Sequence, residues 1–400
     1  MNRKIPLGLT IALMAIAAAI TFIISTSYSM SIFNKLVADV QQRAEMYQKL
    51  EQIDAYVRQY YDGTIDEDKL IEALANGYIS IIEDADARYL TAREYSLYRE
   101  AQSGTHIGIG VYTYEDGGYP AVRQVLSNSP ASAAGISVGE SIVEINGQSA
   151  LDLGYDAAES LLRSNSGTQL ELTVRSSGED RTVIVSTTQM NIATVESTLY
   201  GNVGRLKISG FSEKTFQQFS SAYSSFSSQG IKGLIIDLRN NDSELFDPAI
   251  NILSAILPSG SNTAIKIDRS GAESVYEKAA GSMTINLPIC VIVNSRTSGP
   301  AELFAAALKD YLGASVVGAG TSGSADLFES YPLYDGTAIV LPTATLRTDN
   351  IEISGVGIKP DYEAATAFDD TDEQLALLNE NDDPALKRAL EIVTSLIPAE

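Results

Sequence analysis

The feature that most constrains this chain is an alternation beginning near residue 195. Short uninterrupted apolar runs, "GLIIDL" and "PICVIV", alternate with segments of helical spacing, "EKTFQQFSSAYSSFSSQ", "DPAINILSAIL" and "PAELFAAALKDYL". Strands apolar on every residue are buried on both faces, and helices between them serve as crossovers. The pattern predicts a parallel sheet covered by helices, with "NVGRLKISGF" and "ASVVGAG" as further strands. Sites in such sheets form at the carboxyl ends of strands. The loops after Arg239, Asn294 and Gly318 occupy that position.

Upstream, residues 104–190 alternate with period two and carry turn signals, as in "GIGVYTYEDGGYPAVRQVL", "SIVEINGQS" and "GTQLELTVRSSGEDRTVIVST". They predict a small, mostly-β domain with one helix, "YDAAESLLRS". Residues 31–100 read as helical. In the first of these helices Phe33, Leu36, Val40, Tyr47, Leu50 and Val57 form a stripe interrupted by Arg43 and Asp54. That stripe suits packing within its own domain or a homo- or hetero-dimer contact through residues 32–60. A second helix, "DEDKLIEALANGYISIIED", starts with Asp66 as its cap. Residues 366–400 read as an acidic linker closing on a helix.

At the N-terminus Arg3 and Lys4 precede an uncharged apolar run of about 20 residues, enough to cross a bilayer as a helix. The basic flank sets the N-terminus in the cytoplasm and the bulk outside it. A cleaved signal peptide is the competing reading, but "STSYSMS" offers no Ala-x-Ala site, so residues 1–30 are expected to be a cytoplasmic tip and membrane anchor. The net charge of −23, from 28 basic against 51 acidic residues, argues against nucleic acid as a partner. With one cysteine, Cys290 in a buried strand, no disulfide framework exists. His106 is the sole histidine, which excludes zinc sites built on several, and it reads as a surface or structural residue. No metal or cofactor is expected.

The turn "VNSRTSGPAELFAAALKD" poses the functional question. A strand, a turn of Thr, Ser and Gly, and a helix N-terminus present nucleophiles in many hydrolases. Taken with "YYDGTIDEDKLIEALANGYISIIEDADARYL", "GIGV", "SPASAAGISVGESIVEINGQ", "GIKGLIIDLRNN", "VVGAGT" and "ISGVGIKPDYE" in this order, the chain resembles the C-terminal processing (tail-specific) serine peptidases. The resemblance spans about Tyr60 to Tyr362. It implies an inserted PDZ domain over 104–190 and an α/β peptidase domain of ClpP/crotonase-like type over 195–365. The fold class expected is thus α/β plus mostly-β, with a transmembrane helix ahead of the helical region.

The resemblance also implies where the chemistry should sit. The family nucleophile, aligned on Glu302, falls on Gly299; its base lysine falls on Ser324 and its assisting glutamine on Phe328. Its glycine-rich oxyanion loop falls on Asp242, Ser243 and Glu244. Ser–Lys catalysis needs a hydroxyl nucleophile and a neutral amine to take its proton; Gly299 lacks the first and Ser324 the second. A Glu244 carboxylate within ~4 Å of a developing oxyanion costs about 4 kcal/mol at an effective dielectric of ~20, roughly a thousandfold in rate. Ser298 is the fallback nucleophile. The expectation is a pseudopeptidase that binds protein C-termini or partner proteins through its PDZ-like domain. The alternatives are an active serine endopeptidase with a rearranged site, and a structural subunit dimerising with an active paralogue. The PDZ carboxylate loop maps to Ile107, Gly108, Ile109, Gly110 and Val111, unless those glycines merely shape a bulge.

Overall fold

The computed structural model describes residues 40–82, 84, 86–364 and 382–398, together with 21, 22, 25, 26 and 30. All of the expected anchor run except Thr21 and Phe22 lies outside the described residues, as do residues 31–39 and 365–381. Among the described residues no helix is long and apolar enough to cross a membrane. The chain forms two units, residues 1–75 and 76–400.

The first unit holds a helix over 40–60 and the start of the helix Glu67–Ile79. Arg58 joins the two, donating to Asp54 at 2.8 Å and to Glu67 at 2.6 and 2.9 Å. Asp66 accepts from the Lys69 N–H at 3.2 Å, as a capping residue should.

The second unit is built on the expected alternation. Strands Val203–Ile208, Gly233–Asp237, Ile289–Val293, Ser315–Gly318 and Tyr362–Glu363 run parallel in that order, and Val195–Tyr200 adds antiparallel to the first. One face is covered by the helices Thr215–Ser228, Phe246–Ile256 and Pro300–Leu312, whose apolar residues form the main core. The other face carries only the helix Pro384–Leu396 among the described residues, packed on Val203, Ile235, Cys290, Ile292 and Val317. Cys290 is fully buried there, and burial followed by the nearby Asp361 charge pushes its thiol up to about 12. Asp383 caps that helix, accepting from the Ala385 and Leu386 N–H groups, and also receives Arg239 at 2.7 and 3.1 Å.

A second sheet is present that the sequence periodicity does not announce. Arg88–Leu90, Ala338–Arg347, Ile265–Asp268 and Glu273–Val275 lie side by side, and Asp326–Pro332 pairs with Ala338–Arg347. The inserted domain has the antiparallel order Val111–Asp116, Tyr119–Val125, Ser141–Ile145, Gln169–Ser176, Glu179–Ser186, closed over its own core with the helix Tyr155–Leu162. A two-stranded ribbon, Thr105–Gly108 against Thr188–Asn191, brings the chain in and out of it.

Candidate active-site cleft

Gly299 caps the helix Pro300–Leu312 at the strand-to-helix turn, with φ 56° and ψ −121°. L-residues are rare at that backbone geometry, and nucleophile turns are a known place for such strain. Here a glycine occupies it, so no side chain projects. The turn is held by Glu302, which is fully buried. Five groups donate to its carboxylate: the N–H groups of Gly299, Gly323 and Ser324 and the hydroxyls of Thr321 and Ser322. Glu302 therefore sews the loop 321–324 onto the helix N-terminus. The Gly299 N–H also donates to the Ser324 carbonyl at 2.8 Å, closing the loop over the turn.

The three segments singled out by the sequence meet in one cleft of about 240 Å³, lined by Asp242, Ser243, Glu244, Ser298, Gly299, Ser324 and Phe328 among others. Among the described residues lining it there is no lysine, arginine or histidine. Asp86 and Asp326 line it too, and the Asp326 carboxyl is pushed up by burial and then by the Asp84 and Asp86 charges. The cleft is therefore acidic, the wrong sign for an oxyanion.

Two of its backbone donors are engaged. The Ser298 N–H donates to the Asn241 carbonyl at 2.9 Å, and the Ser243 N–H to Asn241 Oδ1 at 3.3 Å. A Cβ built on Gly299 would lie 3.0 Å from the Ser243 carbonyl oxygen. The loop thus turns the Ser243 carbonyl toward Gly299, where the resemblance implies a nucleophile. Ser243 Oγ donates to Asn241 Oδ1 at 2.8 Å and accepts from the Phe211 N–H at 2.7 Å, which fixes the loop in this orientation. Asn240, at φ 59°, and Asn294 bond each other across the strand ends at 2.7 Å.

Glu244 differs from the expectation of a bare charge. Arg88 Nη2 donates to both of its carboxylate oxygens, at 2.8 and 2.9 Å. The repulsion expected from the sequence is therefore largely neutralised. No sequence pattern points to Arg88. On the far side of the 242–244 loop it lines an apolar pocket of about 290 Å³ with Tyr98, Gln102, Phe211 and Leu245.

Ser298 Oγ sits 3.0 Å from Ser322 Oγ, which in turn lies 3.0 Å from Glu302. This hydroxyl–hydroxyl–carboxylate chain is the nearest approach to a relay in the cleft. Glu302, at the end of that chain, already accepts from five donors. Lys309, on the helix, is held away by Asp361 at 2.7 Å.

In the inserted domain, the loop Ile107–Val111 is closed rather than open. Ile109 and Val111 are buried in the domain core. The Ile109 N–H donates to the Leu162 carbonyl at 3.1 Å, and the Ile107 N–H to Glu100 Oε1 at 2.8 Å. Gly108, at φ 142°, is packed so that a Cβ would meet the Leu162 carbonyl at 2.7 Å. Gly110 lies against Ser129. His106 is buried beside Arg163 and Glu100, and burial, reinforced by Arg163, lowers its pKa to about 4. It lies outside the cleft and packs its ring against Tyr112 at 5.2 Å.

Comparison with known proteins agrees with these two parts. The peptidase family S41 model matches residues 202–364 and a PDZ domain model matches residues 122–176. The carboxy-terminal processing protease CtpA of Bacillus subtilis is 28% identical over 368 residues, covering 91% of this chain and 78% of that protein. A "Probable CtpA-like serine protease" of Staphylococcus epidermidis is 27% identical over 329 residues, 82% of this chain and 67% of that one. Among solved structures, a photosystem II D1 C-terminal processing protease is 22% identical with a TM-score of 0.48, covering 84% of this chain and 92% of that chain.

Proposed function

This chain belongs to the C-terminal processing peptidase family, with an S41 peptidase domain and a PDZ domain, and from that premise we propose that it is a pseudopeptidase that binds protein C-termini or partner proteins. The observation that carries the reading is the turn at Gly299. A residue without a side chain caps the helix where acyl transfer would begin, and the cleft around it is lined by acids and hydroxyls without an amine. Covalent catalysis by a serine needs a base that can take its proton near neutral pH. The carbonyl of Ser243 aimed at the same point is a second, independent obstacle.

The proposed setting is a bacterial-type cell membrane, single-pass, with residues 1–30 as the anchor and the bulk extracytoplasmic. The basic flank and the apolar run support this. Protease added to intact cells should then degrade the domains, and carbonate washing should leave the chain in the membrane. Solubilisation by carbonate would remove the anchor from the reading.

The deciding experiment is a fluorophosphonate label combined with cleavage of casein and of C-terminally tagged peptides. No label and no turnover are expected, and Ser298→Ala should change neither. The Ser298–Ser322–Glu302 chain supports the second reading, an active endopeptidase with a rearranged site. Turnover that disappears in Ser298→Ala would establish that reading and overturn the first. A third reading, a structural subunit dimerising with an active paralogue through residues 32–60, is supported by the exposed apolar side chains on the helix 40–60.

A further inference from the structure

A PDZ domain takes a peptide's terminal carboxylate on backbone N–H groups and adds the peptide to a sheet edge. In this chain the first N–H of the carboxylate loop, that of Ile107, already faces a carboxylate. Glu100 belongs to the helix Ala92–Ser103, which precedes the inserted domain. Its Oε1 accepts from the Ile107 N–H at 2.8 Å and from Arg163 Nη2 at 2.7 Å. The Glu100 and Arg163 side chains are each only 14% exposed. A backbone donor and a guanidinium converging on one carboxylate oxygen form the kind of receptor that a chain terminus requires.

The groove is stitched along its length as well. The strand Val111–Asp116 ends its sheet, and side chains of the helix Tyr155–Leu162 reach it. Tyr155 Oη donates to the Thr113 carbonyl at 3.2 Å, and Thr113 Oγ1 donates to Glu159 at 2.7 Å. An added peptide strand would need that carbonyl for its own N–H. The helix Ala92–Ser103 also grips the start of the groove helix, where Arg93 donates to the Asp156 carbonyl and carboxylate at 3.0 and 2.9 Å.

We propose that Glu100 is an internal occupant of the peptide-carboxylate position, and that a protein with a free C-terminus binds by displacing it from the Ile107 N–H and Arg163. This rests on the reading of the domain as a binder of C-termini and adds what the ligand must compete with. An intramolecular competitor lowers apparent affinity by the fraction of time the site is open. Free carboxylates are selected because an amidated end cannot replace Glu100 on Arg163.

The test uses the full chain in detergent and a random heptapeptide pool, once with free C-termini and once amidated. Glu100→Gln should bind the free-acid pool about tenfold more tightly than wild type and leave the amidated pool unchanged. Adding Arg163→Gln should abolish the gain. In wild type alone, saturation with the free-acid pool should speed amide exchange in the helix Ala92–Ser103, and the amidated pool should not. Equal free-acid binding by wild type and Glu100→Gln, or unchanged exchange in that helix once acid is bound, overturns displacement while leaving the domain a binder of C-termini. No binding by either protein overturns both.

Discussion

At the scale of single residues, Gly299 and Glu302 divide the labour of the turn. Gly299 accepts a backbone conformation that a residue with a Cβ reaches only with strain, about 1–3 kcal/mol. Gly299→Ser should therefore lower the thermal midpoint by several degrees, because its new Cβ also meets the Ser243 carbonyl at 3.0 Å. It should still take no fluorophosphonate label, since no amine lines the cleft. Labelling of that single variant would mean a base exists that the geometry does not reveal. Glu302 is the opposite case, a buried carboxylate surrounded by donors. Glu302→Gln places an amide among N–H groups and leaves donors facing donors, a loss of about 3 kcal/mol or more. Limited proteolysis should then cut first within residues 321–324. Much of this turn was legible in the sequence, because Ser-Gly-Pro ahead of an amphipathic helix announces a helix start. Four of the five partners of Glu302 were not, since they lie 19 to 22 residues away in a loop with no periodicity.

At the scale of elements, the terminal helix is tied to the sheet by charges that no local pattern announces. Arg239 and Asp383 are 144 residues apart, Arg205 and Asp237 32, and Arg88 and Glu244 156. Such pairs become visible only once the strands are aligned. The strands themselves were readable where they are apolar throughout. The second sheet was not, because Ala338–Arg347 alternates buried and half-buried residues around Pro342 and reads as irregular. Asp237 is fully buried; burial alone would raise its pKa, but Arg239 at 2.7 Å and Arg205 at 2.6 Å outweigh it and hold the carboxyl well below the usual range. A carboxyl depressed in the folded state stabilises the fold above its unfolded pKa of about 4. That contribution should fall as pH drops below about 4 toward the folded value. Chemical denaturation at stepped pH should show this slope, and Asp237→Asn should be destabilised near neutrality and show a shallower one. The same clamp guards Cys290 under the terminal helix. A maleimide should label Cys290 in wild type only on unfolding, and in Asp383→Ala well before the global transition, because the helix loses both its cap and its hold on Arg239. Equal labelling in the two would show that apolar packing alone retains the helix.

At the scale of the whole molecule, an acidic chain carries an apolar surface at its N-terminal end. Ile53, Val57, Ile71 and Leu74 are between 42% and 55% exposed on the two helices of the first unit. Together with Leu50, Ile65 and Leu70 they line a groove of about 430 Å³. Contact with a second chain is one proposed way to cover such a face, packing within its own domain being the other. The proposed pairing through residues 32–60 must, however, bring together two chains that each carry a net charge of −23. Apolar burial does not weaken with added salt, whereas repulsion between like charges does. If the apolar face drives self-association, the dimer of the full chain in detergent should strengthen as sodium chloride rises from about 0.03 to 0.3 M, over which the Debye length shrinks by about threefold. Ile53→Asp combined with Val57→Asp should shift the mass by light scattering to that of one chain at every salt concentration, with the thermal transition of the second unit unchanged. A dimer that weakens with salt would point instead to an interface of opposite charges, and a chain that stays monomeric throughout would leave pairing only to a different protein, recognised by whether an active relative restores the dimer and the aspartates prevent it.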